Sequence, residues 1–140
     1  MAYQWLTMRI SEENDRRKKE ENTLQRLPSA LDEVYNEVKD CVEEYQRAFG
    51  DDSVDLQRST GKICIVVPGE KEARAEVVTV PKIPGFQVDR GAGGEPLAIE
   101  VGLLPGDKLF FRDLQLDQYV TMEELTRRIL DRVFFPKLSE

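Results

Sequence analysis

Histidine is absent from all 140 residues of the chain. Without it the commonest general base and metal ligand is missing, so Ser-His-Asp, Cys-His and histidine-ligated zinc mechanisms fall together. Cysteine is scarce, and Cys41 and Cys64 both sit inside apolar patterns. That placement predicts buried reduced thiols instead of a disulfide or a metal site, which suits a reducing cytoplasm. Long apolar runs are missing as well. Nothing approaches the roughly 18 residues of a membrane span, and the cluster Trp5, Leu6, Met8 and Ile10 is too short for a secretory h-region and has no basic leader. Excess positive charge is also lacking, since the net charge of −7 repels nucleic acid and anionic membrane. The expectation is a cytoplasmic protein with neither nucleic acid nor membrane as a partner.

What the chain does have is enough apolar residue, 40% of its length, for one compact domain that needs no disulfide or metal staples. Its strongest periodic signal runs from Ser29 to Phe49. There Leu31, Val34, Val38, Cys41, Val42 and Tyr45 recur at steps of three and four, while Asp32, Glu33, Glu37, Asp40 and Glu43 take the other side. Ser29 reads as its N-cap, with Asp32 three residues on as an approximate capping box, and Gly50 reads as its C-terminal stop. Pro28 predicts a break or kink just before it. Leu24, Leu27, Leu31 and Val34 also fit a heptad, but Tyr35, Val42 and Phe49 widen the stripe beyond a two-stranded seam. The helix is therefore expected to lie across a sheet.

Residues 1–23 read as a separate N-terminal arm, and residues 24–140 as a single domain. The Trp5 to Ile10 cluster fits either a strand or a helix. From Ser11 to Thr23 no apolar residue occurs, yet Glu12 to Arg16, Glu13 to Arg17 and Asp15 to Lys19 are acid-before-base pairs four apart. Such pairs support an exposed helix by about 0.2 to 0.5 kcal/mol each, so Arg16, Arg17, Lys18 and Lys19 read as a neutralised solvated face in preference to a recognition patch.

Beyond Gly50, Asp51, Asp52 and Asp55 form an acidic turn that lacks the glycine and distal glutamate of a calcium loop. Short β-like runs follow at Val54 to Arg58, Lys62 to Val67, Ala73 to Val80, Phe86 to Arg90, Leu97 to Leu103 and Lys108 to Leu114. Tight-turn signals such as Thr60-Gly61, Pro84-Gly85 and Pro105-Gly106-Asp107 separate them. Links this short join antiparallel strands, so a meander of five or six strands is predicted. Leu97, Ile99, Val101 and Leu103 alternate with small or polar residues and should face the long helix. Ile63 to Val67, Val77 with Val78, and Phe110 with Phe111 are apolar on both faces, which asks for a second cover: the N-terminal cluster, the C-terminal helix or another subunit. Thr121 and Glu124 form a capping box for a last helix from about Met122 to Phe134, followed by the apolar tail Phe134, Phe135 and Leu138. The fold class is α+β: a long N-terminal helix packed on an antiparallel meander and closed by a short C-terminal helix.

For chemistry the sequence offers little. Gly91, Gly93 and Gly94 resemble a phosphate-cradling loop in composition, but a strand follows them where a helix N-terminus is needed. Glu70, Glu72, Asp89, Arg90, Glu95, Arg112 and Asp113 cluster near strand ends and are the candidate polar groups of a pocket. No catalytic residue, cofactor or metal is assigned. Two classes of function remain open. The first is a non-catalytic binding or assembly module acting as a homodimer through Trp5, Leu6, Met8 and Ile10. The second is a small-molecule pocket between helix and curved sheet, including a carboxylate-dependent enzyme.

Overall fold

A computed structural model describes residues 3–69, 72–91 and 95–138. Helix α1 runs from Gln4 to Phe49, and a 3-10 turn spans Asp51–Ser53. The strands are β1 (Asp55–Ser59), β2 (Lys62–Val67), β3 (Ala73–Val80), β4 (Gly85–Asp89), β5 (Leu97–Leu104), β6 (Lys108–Asp113) and β7 (Gln118–Val120); helix α2 covers Met122–Phe134. All seven strands form one sheet in chain order, each pairing antiparallel with the next. The α+β meander is thus as expected, with seven strands where five or six were predicted. The additional one, β7, has only three residues and follows a turn without glycine, in which Asp117 takes the left-handed conformation at φ 50°. Neither alternation nor turn chemistry marks a strand that short.

The helix departs further from expectation. Ser29 caps nothing, and α1 continues without interruption from Gln4 through Pro28, so the Trp5 to Ile10 segment is helical. Proline removes one intrahelical hydrogen bond and crowds the carbonyl four residues before it, at a cost of about 3 kcal/mol. On either side, Leu27, Ala30, Leu31 and Val34 are buried, and that burial offsets the loss. Gly50 ends the helix as expected, its amide donating to the Gln46 carbonyl at 2.7 Å. The second helix begins where predicted, with the Thr121 hydroxyl accepting from the Glu124 amide at 3.2 Å.

Both helices pack on the same sheet face. Cross-strand pairing aligns Ile63 with Val77, Val77 with Val88, Phe86 with Ile99 and Val101 with Phe111, which gives a continuous apolar surface. Val34, Val38 and Val42 of α1 and Leu125, Ile129 and Val133 of α2 are buried in the same core. Tyr45 stacks on Phe134 at 4.3 Å between ring centroids and joins the two helices. Gly85 allows the tightest backbone approach in the sheet, since a Cβ there would lie 1.9 Å from the Ile99 carbonyl oxygen. Neither the Trp5 to Ile10 segment nor α2 covers the opposite face, contrary to two of the three candidates for that role.

Candidate functional site

Residues 4–22 of α1 extend about 28 Å at 1.5 Å per residue. Among the described residues, the hydrogen bonds and ion pairs of this segment stay within the helix itself. Body contacts begin at its base, where the Arg26 guanidinium donates to the Asp107 carbonyl at 3.0 Å. At the far end Trp5 is 64% exposed, Met8 56% and Ile10 52%, with Leu6 and Tyr3 also in water. Isolated apolar side chains on a surface are ordinary, but here five of the eight residues from Tyr3 to Ile10 are exposed apolar side chains.

Between tip and body lies a ladder of charge. Glu13 accepts from Arg16 at 2.7 Å and Arg17 at 3.0 Å, Arg16 also reaches Glu20 at 2.7 Å, and Arg9 meets Glu12 at 2.8 Å. The Glu13–Arg17 pair was expected, whereas Arg16 selects Glu13 and Glu20 over Glu12. The Arg16 hydrogen bond, followed by that from Arg17, lowers the Glu13 carboxyl to about 2, and Glu13 in turn raises the Arg16 guanidinium above its ordinary value. The exposed helix is therefore held by its own side chains.

Where the arm meets the body there is a cleft of about 800 Å³. Leu24, Leu27, Pro28 and Leu31 form its helical wall, and the β1–β2 turn at Thr60 and Gly61 faces them with Thr79 and Pro81. Arg58 closes one side, bonded to Asp32 and lying 5.0 Å from the Tyr35 ring centroid. Three segments distant in sequence make this cleft. Only the β2–β3 register, Lys62 opposite Val78, brings Thr79 beside Gly61, so no local pattern could have revealed it.

Of the predicted pocket residues, Glu95 and Asp113 lie within electrostatic reach of Arg90, with Arg132 beside it. Glu72 pairs with Arg74 at 3.4 Å on the sheet surface, and Arg112 bridges Glu100 and Asp117 on the open face, where Glu100 chiefly raises its guanidinium. Glu70 lies outside the described residues, as do Gly93 and Gly94. Asp89 accepts from the Gly91 amide at 3.0 Å in a turn. Arg90 donates to the Glu95 carbonyl at 2.9 Å; burial, reinforced by the like charge of Arg132, lowers its guanidinium below the ordinary value. Asp113 alone is deeply buried, 1% exposed, on the helix-covered face. Its Oδ2 accepts from Arg128 and its Oδ1 from the Gln115 and Leu116 amides at 2.9 and 3.2 Å. Arg128 thus answers to Asp113, not to Glu124 four residues before it. This ion pair fastens α2 to β6.

Cys41 and Cys64 are both free and half-buried. Burial raises the Cys41 thiol, opposed by a hydrogen bond with Thr126. Among the described residues no group of three or more Cys, Asp or Glu side chains is placed to hold a metal ion, and no helix is long and apolar enough to cross a membrane. Comparison of the chain with known protein families, with curated proteins and with solved structures returns no match.

Proposed function

We propose that the chain is a non-catalytic binding or assembly module that acts as a homodimer through the tip of α1. The observation that carries this reading is the exposed patch of Tyr3, Trp5, Leu6, Met8 and Ile10, held away from the body on a helix stabilised by its own ion pairs. Burying such a patch against a second copy removes apolar area from water at about 25 cal/mol per Å². Sedimentation at micromolar concentration tests it. The full chain should be a dimer and a chain starting at Thr23 a monomer. A monomeric full chain refutes the reading, and a truncated chain that stays dimeric moves the interface to the open sheet face.

The cleft favours a second reading, an apolar small-molecule site. Its lining contains no carboxylate, so it favours binding over carboxylate catalysis. An environment-sensitive apolar dye should bind the full chain at one site and lose that binding in Leu24→Glu. Equal binding by the variant removes the cleft from consideration.

A further inference from the structure

The buried seam of α1 at its entry to the body consists of Thr23, Leu27, Ala30 and Val34, at steps of four, three and four. Carried backwards, the same rhythm selects Glu20, Arg16, Glu13, Arg9 and Leu6. Glu13 and Glu20 are the two residues of the arm that are only partly exposed, and both pair with Arg16. In sequence register the core-facing seam runs on through the arm, where the body no longer covers it.

That seam has a particular symmetry. From tip to body it reads Leu6, Arg9, Glu13, Arg16, Glu20, Thr23. Reversed about the midpoint between Asn14 and Asp15, every seam position falls on another seam position. Leu6 then faces Thr23, Arg9 faces Glu20 and Glu13 faces Arg16, so each charge meets its opposite. The flanking rows agree: on the same side of the pair Glu12 runs beside Lys19 and Tyr3 beside Leu24, each two residues from the reflected level. A parallel in-register pair would instead set Arg9 on Arg9 and Glu13 on Glu13.

Resting on the homodimer reading above, we infer that two copies pair their α1 arms antiparallel about a two-fold axis near Asn14 and Asp15, each tip docking at the mouth of the other copy's cleft. Charge complementarity selects the second copy as the occupant. Length agrees with it. In this register Trp5 lies level with Leu24, a cleft residue, so the partner's helix fills the seam up to the point where the chain's own sheet takes over.

The test uses the full chain. In a Cys41→Ser, Cys64→Ser background, Arg9→Cys protein mixed with Glu20→Cys protein should give a mixed disulfide dimer under mild oxidation. Neither variant alone should do so, because positions 9 and 9 of the two copies are separated by about 16 Å along the axis. With the native cysteines retained, Arg9→Glu should weaken self-association about tenfold, since two exposed pairs per dimer become repulsive. Arg9→Glu combined with Glu20→Arg should restore it. Cross-linking of Arg9→Cys with itself overturns the antiparallel register. A dimer that forms no mixed disulfide and ignores Arg9→Glu overturns arm pairing while leaving the homodimer intact. A chain that is monomeric at all micromolar concentrations overturns both.

Discussion

Asp113 spends its buried carboxylate on three donors, and each is lost when the side chain is removed. In Asp113→Ala the Gln115 and Leu116 amides and the half-buried Arg128 guanidinium would be left without their acceptor beneath α2, which should lower stability by about 2 to 4 kcal/mol. Asp113→Asn keeps an oxygen for the two amides and should lose less. Urea denaturation of both variants against the native chain measures the difference, and equal losses would show that the charge alone matters. Glu13 shows the opposite situation, a carboxylate at the surface whose partners are exposed. Its folded value of about 2 lies below its ordinary 4.5, so its contribution to the arm helix is complete above about pH 4.5 and fades as the pH falls toward 2. Residue-resolved NMR of the amides between Arg9 and Glu20 should show helicity dropping through that window, with Glu13→Gln already at the low-pH level at neutral pH.

At the scale of the element, α1 is one helix in two regimes. From Leu27 to Val42 its buried side chains share the sheet's core, while residues 4–22 have only their own ladder. A helical segment with no buried face lies at the low end of local stability even where its own ion pairs hold it. Amide exchange in the arm should therefore be fast in dilute protein and slow as concentration rises, while exchange from Leu27 to Val42 stays slow throughout. Uniform protection along the helix at every concentration would contradict this. Pro28 sits at the boundary. Pro28→Ala restores the hydrogen bond to the Leu24 carbonyl and should raise stability by about 1 to 2 kcal/mol, after allowing for the looser unfolded chain. The 3.6-residue rhythm made the buried part of α1 legible from sequence. The arm's helicity was legible only as a set of pairs four apart, because no buried face imposes a pattern on it. Pro28 misled for a physical reason: a local rule predicts a break, and tertiary packing on both sides overrides it.

Across the whole molecule, the helices lie on one sheet face and leave the other to water. The open face carries ion pairs, Lys62 with Glu76 at 3.3 Å and Arg112 with Glu100 at 3.1 Å, between its apolar residues. Phe110 also folds over Gly102, occupying the place where a Cβ would come within 2.1 Å of its ring, and the exposed Tyr119 ring meets it edge-on at 5.4 Å. These cross-strand contacts let Phe110 stand on an uncovered face, so the two-sided apolar strands demand less cover than their composition suggests. The strand order and most of the strand boundaries could be read from glycine turns and alternation. The cleft and the placement of the pocket candidates could not, because register and sheet face decide them. A core built on one face concentrates its stability where helix meets sheet, and Val38, fully buried in α1, lies in that layer. Val38→Asp places an unpaired carboxylate there, at a cost of several kcal/mol against a total stability of about 5 to 15 kcal/mol. The variant should lose its cooperative melt and its protected sheet amides together, whereas Tyr119→Asp on the open face should melt within a few degrees of the native chain. A near-native melt for Val38→Asp would mean that α1 does not form the roof of this core.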